Sequence, residues 1–155
     1  MTAPAIRPAR PEEAGALSAL VLRSKAHWGY DAAFMAQVRD VLRVTPEAIR
    51  AGGVFVAVDG GDRPLGIGSV SIADGAAELE LLFVDPAAMG QGAGRALYRH
   101  AVAVARAGGA GTLWILADPG AESFYRAMGA TTVGQAPSDA IPGRMLPRMK
   151  AELTA

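Results

Sequence analysis

The sequence predicts an α/β domain of the α+β type, in which one mixed, mostly antiparallel central sheet is flanked by helices. Three observations lead there. Three strand-like runs follow one another between Val54 and Val84, parted by turn signals at Gly60-Gly61-Asp62 and Asp74-Gly75. Helical spacing precedes and follows these runs. A short, fully apolar run, Thr112 to Leu116, comes late in the chain, as suits a strand at a sheet centre.

Taken in order, Ala5 to Pro8 reads as a first short strand. Pro11-Glu12-Glu13 places a proline and two acids where a helix start favours them. Leu17, Leu20, Val21 and Ser24 continue one face of that helix, and Ser24 to Tyr30 then reads as a loop. Asp31 is a plausible N-cap for a second helix through Leu42, with Phe34, Val38, Val41 and Leu42 on one side. Thr45-Pro46-Glu47 opens a further short helix that ends at Gly52-Gly53. Strands follow at Val54 to Val58, Leu65 to Ile72 and Ala77 to Val84. A helix from Gln91 to about Ala107 carries Ala93, Leu97, Ala101 and Val104 at helical spacing and stops at Gly108-Gly109. After the strand from Thr112, Ala121 to Met128 forms a helix halted at Gly129. Thr131 to Val133 and Met145 to Met149 read as closing strands. The main order is β-α-α-β-β-β-α-β-α-β-β.

Bulk properties narrow the function classes. The length of 155 residues fits one domain spanning 1–155. With no cysteine, disulfides, thiolate metal sites and a cysteine nucleophile are excluded, and no metal is expected. Lysine plus arginine and aspartate plus glutamate number 15 each, a balance that argues against a nucleic-acid partner. No run approaches the roughly 20 apolar residues of a membrane span, so no membrane partner is expected. The N-terminus lacks a signal-peptide apolar core, and the expected location is cytoplasmic.

The most informative stretch is Glu78 to Leu97. An apolar strand runs into Val84-Asp85-Pro86, then a glycine-rich turn, and a helical pattern opens directly from it. Backbone N–H groups at such a helix start, together with the helix dipole, suit a phosphate. A Walker A loop would need a Gly-Lys-Ser/Thr that is absent. A dinucleotide fingerprint fails in register: from Gly90 or Gly92 its third glycine falls on Arg95 or Leu97.

The chain resembles the GNAT-type N-acetyltransferase superfamily over nearly its whole length. The family's Gln/Arg-x-x-Gly-x-Gly/Ala turn is matched by Met89-Gly90-Gln91-Gly92-Ala93-Gly94, with Met89 in place of the usual first residue. A second signature, Ala-x-x-x-Tyr-x-x-x-Gly-Phe, is matched by Ala121 to Gly129, with Ala130 replacing the phenylalanine. Asp118 stands where the family has an asparagine. The resemblance implies the GNAT fold and acetyl-CoA as co-substrate. Its diphosphate would rest on the N–H groups of Gln91, Gly92, Ala93, Gly94 and Arg95, with Met89 and Gly90 also at the cofactor, and its pantetheine along Leu82, Phe83 and Val84. Asp118 and Tyr125 would also face the cofactor, in an opening between that strand and the one from Thr112.

The implied chemistry is acetyl transfer to a primary amine by direct attack in a ternary complex. A base must take the amine proton; Glu78 and Glu80, two apart on a strand, are the candidates, with Asp118 a third. The competing reading of the two glutamates is a solvated strand face. The Val84 N–H would polarise the thioester carbonyl. Tyr125 matches the family tyrosine that faces the sulfur, its alternative being a packed core tyrosine. For the acceptor, His27, Trp28 and Tyr30 cluster in one loop and suit contacts to an amine, or else anchor that loop. Arg144 is placed to bind a substrate carboxylate. The expected partner is therefore a small-molecule or amino-acid-like amine, with a protein or peptide N-terminus as alternative. A non-catalytic acyl-CoA sensor is the rival from another class. A homodimer remains open.

Overall fold

The computed structural model describes residues 3–153. Its elements are β1 (Ala5–Pro8), α1 (Ala14–Ala26), α2 (Ala32–Val38), α3 (Pro46–Arg50), β2 (Val54–Val58), β3 (Pro64–Ala73), β4 (Ala76–Val84), α4 (Ala93–Ala107), β5 (Thr112–Leu116), α5 (Glu122–Ala127), β6 (Thr131–Pro137) and β7 (Met145–Glu152). The strands form one sheet in the order β1-β2-β3-β4-β5-β7-β6. Among the described residues only β4 and β5 pair in parallel. The fold class and strand sequence are those expected.

Two apolar cores sandwich the sheet. β2 alternates Val54, Val56 and Val58 towards one side and Phe55 and Ala57 towards the other, and every one of them is buried. The first core packs Leu17, Leu20 and Val21 of α1 and Ile49 of α3 against Val56 and Ile67. The second packs Leu97 and Ala101 of α4 and Tyr125 of α5 against Leu79, Leu113, Ile115 and Met149.

Several boundaries differ from expectation. α1 does not break at Ser24 but runs to Ala26, because Ser24 and Lys25 are buried on its inner face. The second helix ends at Val38 instead of Leu42; residues 39–42 make turns, although Asp31 caps it as expected by accepting from the Phe34 amide at 2.8 Å. α4 opens at Ala93, not Gln91, because Gly92 takes a left-handed conformation at the cap. α5 is shorter than Ala121 to Met128, a tight turn over Pro119–Ala121 replacing its start. β6 and β7 extend to Pro137 and Glu152 because they pair with each other and, for β7, with β5.

What positions the site is the behaviour of β4. Against β3 its register shifts, with Ser69 facing Leu81 and Val70 facing Leu79, so Glu80 is a bulged residue with no partner. Against β5 it pairs only from Ala76 to Leu79. Past the bulge the two strands part, while β5 stays zipped to β7 as far as Leu116 and Arg148. The second half of β4 therefore has a free edge inside the sheet.

Candidate active site

The free edge carries its own hydrogen-bonding groups. The Asp85 amide donates to the Leu65 carbonyl of β3 at 2.8 Å. Alternation along an antiparallel strand then turns the amides of Val84 and Leu82 the other way, into the opening. The same alternation turns the backbone of Phe83 towards β3.

The chain then makes a tight turn over Pro86–Ala88, capped by Asp85, whose carboxylate accepts from the Ala87 amide at 3.1 Å and from Arg23 at 2.8 Å. Gly90 and Gly92 both adopt φ of +84°, a region that side-chain-bearing residues enter at a cost. Among the described residues no amide from Gly90 to Arg95 donates to a backbone acceptor; the first to do so is Ala96, to the Gly92 carbonyl at 3.0 Å. A row of unclaimed donors thus surrounds the positive end of α4.

Cradle and free edge border one cleft of about 1000 Å³. It is lined by Glu78, Glu80, Leu82 to Val84, Met89, Gly90, Gly92 to Arg95, Asp118 and Tyr125, so most of the residues singled out from the sequence meet there. Gln91 is exposed and lies outside the lining. On the acceptor side Trp28 and Arg144 border the cleft, whereas His27 and Tyr30 do not. His27 is solvent-exposed, edge-on to Trp28. Trp28 packs its ring over Gly120, where an added Cβ would come within 2.8 Å of the indole.

Each candidate acid sits in a different setting. Asp118, at the end of β5, accepts from Lys25 at 2.5 Å, from the Tyr30 hydroxyl at 2.7 Å and from the Gly120 amide at 2.9 Å. Burial works to raise its pKa, but the bonds from Lys25 and Tyr30 outweigh it and hold the carboxyl below its ordinary value. Three accepted bonds and a lowered pKa make it a poorer base than a free carboxylate. Glu78 accepts from Arg148 Nη1 with both oxygens at 3.0 Å, and Arg148 lies over the Trp114 ring at 4.9 Å. Burial nevertheless pushes the Glu78 carboxyl up. Among the described residues Glu80 has no cationic partner and accepts only from Ser71 Oγ at 2.7 Å. Both glutamates do face one cleft, as strand spacing implied, although the bulge interrupts simple alternation between them.

Tyr125 is 6% exposed, with its ring between Tyr98 and Phe124, and its hydroxyl has no hydrogen-bonding partner among the described residues. Burial drives its pKa far above the ordinary phenol value, so the group is a protonated donor throughout the working range.

Three residues were not singled out for the roles they hold. Lys25 is the buried partner of Asp118. Phe34 stacks on Tyr30 with ring centroids 3.9 Å apart, and the Arg144 guanidinium lies over both rings at 4.9 and 5.1 Å. Arg148 engages Glu78. Arg144 gives Nη2 to the Tyr30 hydroxyl at 2.7 Å and lies 3.9 Å from Asp118. Lys25 and Asp118 cancel, which leaves the Arg144 charge largely uncompensated at the cleft edge. An aromatic three residues past the Asp31 cap was the one visible signal for Phe34.

Comparison with known proteins adds the following. A sequence profile described as the Acetyltransferase (GNAT) family matches residues 23–130. A search of curated protein sequences found no match. The chain is similar in structure to a GCN5-related N-acetyltransferase from Rhodopseudomonas palustris, with TM-score 0.82, 23% identity, and coverage of 99% of this chain and 98% of that one. It is similar to the PaiA N-acetyltransferase from Thermoplasma acidophilum, solved in complex with coenzyme A, with TM-score 0.79, 16% identity, and coverage of 97% and 99%. It is also similar to YjaB from Escherichia coli, with TM-score 0.70, 26% identity, and 96% coverage of both chains. Among the described residues no helix is long and apolar enough to cross a membrane, and no group of three metal-ligating side chains occurs.

Proposed function

This chain belongs to the acetyltransferase (GNAT) family, and on that premise we propose that it transfers acetyl from acetyl-CoA to the primary amine of a small, amino-acid-like acceptor. The observation that carries the reading is the free inner edge of β4 running into a cradle of unclaimed amides. A coenzyme A molecule has the matching parts: an amide-bearing thin arm for the strand edge and a diphosphate for the helix start. Acetyl-CoA supplies the thioester as acyl donor.

The chain's own residues divide the remaining work. The amides of Gly92 to Arg95 hold the diphosphate, and Leu82 and Val84 present backbone groups to the pantetheine arm. The Val84 N–H stabilises negative charge on the carbonyl oxygen. Glu80, the acid on β4 and β5 without a cationic partner among the described residues, takes the amine proton, directly or through water. Tyr125 returns a proton to the departing sulfur. With amine, thioester and protein held together, attack is direct and no covalent enzyme intermediate is needed.

Arg144 supports the acceptor class. A half-buried guanidinium with one nitrogen anchored on Tyr30 and the rest unassigned suits a carboxylate. The amine end would then lie towards Glu80.

The test is thiol release from acetyl-CoA by purified protein across amines with and without a carboxylate. The expected result is turnover with amino acids or related amino-carboxylates and weaker turnover with simple alkylamines. Coenzyme A binding, read by thermal shift, without turnover of any amine would support the sensor reading instead. No stabilisation by coenzyme A would remove both.

A further inference from the structure

The cleft has an apolar wall that the proposed chemistry leaves unused. Past the end of α2 the chain stays close to helical, the Leu42 amide donating to the Val38 carbonyl at 2.9 Å. Phe34, Val38 and Leu42 therefore follow one another a helical turn apart, along one face. Val38, Val41 and Leu42 all line the cleft. Leu81 and Phe83 of β4 line it too, and with Leu42 they pack against the core that α1 shares. Leu82 and Val84 pack against the other core, on the α4 side. The apolar wall thus lies across β4 from the amide cradle.

Three facts point to what covers it. Val41 is 52% exposed, and Trp28, also on the cleft, is 46% exposed; large apolar groups left in water beside a binding site gain by meeting apolar surface on the ligand. The segment is held in place beforehand: Ser18 Oγ of α1 donates to the Val44 carbonyl at 3.0 Å and accepts from the Val44 amide at 2.9 Å, so little ordering remains to be done on binding. Phe34, the first residue of the row, carries the Arg144 guanidinium over its ring. The wall therefore begins where the proposed carboxylate contact ends. Arg43 borders the cleft next to it and is exposed, which disfavours a cationic group there.

We infer that this wall is the subsite for the acceptor's side chain, and that the acceptor is an amino-carboxylate whose side chain is apolar, aliphatic or aromatic. The inference rests on the proposed function and narrows it. With the carboxylate on Arg144 and the amine towards Glu80, the third substituent of an α-carbon is left to Val38, Val41, Leu42, Leu81 and Phe83. The charged ends are common to all amino acids and rank none of them. The wall does the ranking, since each methylene moved from water onto apolar surface is worth up to about fourfold in binding. Val41, the most exposed member, is the residue through which the preference is altered without opening the core.

Steady-state thiol release from acetyl-CoA with free leucine, phenylalanine, alanine, serine, glutamate and lysine as acceptors tests this in the wild type, Val41→Ser and Val41→Ile. The side chain is exposed, so both variants are expected to fold. In the wild type leucine and phenylalanine should exceed alanine and serine in kcat/KM by roughly tenfold or more, with glutamate and lysine lowest. Val41→Ser should shrink the leucine-to-alanine ratio by about threefold or more, through the leucine KM rather than kcat, and Val41→Ile should keep it. Equal kcat/KM across the set, a best rate with serine, glutamate or lysine, or a ratio that Val41→Ser leaves at the wild-type value would overturn the apolar subsite while leaving the acetyltransferase reading intact. If the wild type turns over none of these acceptors, the amino-acid-like reading itself fails and the subsite falls with it.

Discussion

Lys25 Nζ and Asp118 Oδ2 lie 2.5 Å apart, with side chains only 11% and 14% exposed. The pair joins the last turn of α1 to the turn after β5, and so fastens two walls of the cleft across 93 positions of sequence. Replacing one member strands the other charge away from water, which costs about 3–5 kcal/mol in comparable buried pairs. Asp118→Asn should therefore lower the unfolding free energy near neutral pH by about 3 kcal/mol.

The pair also sets an acid dependence. The folded-state pKa of Asp118 is depressed, so its contribution is present above the ordinary carboxylate value of about 4 and is lost as pH falls through the lower folded value. Urea denaturation between pH 7 and pH 3 should show wild type and Asp118→Asn converging towards the acid end. Parallel curves would mean the carboxylate is not what Lys25 depends on.

Tyr125→Phe removes the proton donor but keeps the ring against Tyr98 and Phe124. Turnover should fall by about 10²-fold or more, in the range of general acid catalysis, with coenzyme A affinity nearly unchanged. Because burial raises this phenol, the wild-type rate should show no alkaline decline from tyrosine ionisation near pH 10. A decline there that disappears in Tyr125→Phe would contradict the buried setting.

Glu80→Gln and Glu78→Gln should separate base from scaffold. The first should lower kcat by about 10²-fold. The second leaves Arg148 without its carboxylate partner and should mainly raise the acceptor KM. If Glu78→Gln proves the one that collapses kcat, the proton goes to the carboxyl that burial has raised.

Gly92→Ala introduces a side chain at φ of +84°, with only Pro4 Cδ at 4.0 Å near its Cβ. There is space, so the cost is backbone strain alone, about 1–2 kcal/mol. Chemical denaturation should show that loss. Coenzyme A affinity should fall as well, because relief of the strain turns the neighbouring amides out of line.

Local chemistry made the hairpins, the glycine turn and the Asp31 cap legible in the sequence, because each depends on residues a few positions apart. The location of Tyr125 in the cleft was legible through resemblance. The bulge at Glu80 was not, since it arises from how β3 and β4 register along their whole length. Nor was the run of α1 to Ala26: a lysine next to a serine reads as a helix breaking up until Asp118, far along the chain, supplies a partner. The same blindness to long-range pairing let Asp118 stand as a candidate base and hid the stacking of Phe34 on Tyr30.

Strand edges that can still accept a neighbour normally lie at the rim of a sheet, where any extended polypeptide can add to them. The vacant half of β4 is instead recessed, with β5 diverging beside it and α4 and α5 beneath. A ligand lying there meets strand backbone on one side and the diverging β5 on the other. The parting of two central strands thus keeps backbone pairing for a ligand that enters the sheet from within, away from the rim where stray chains could add.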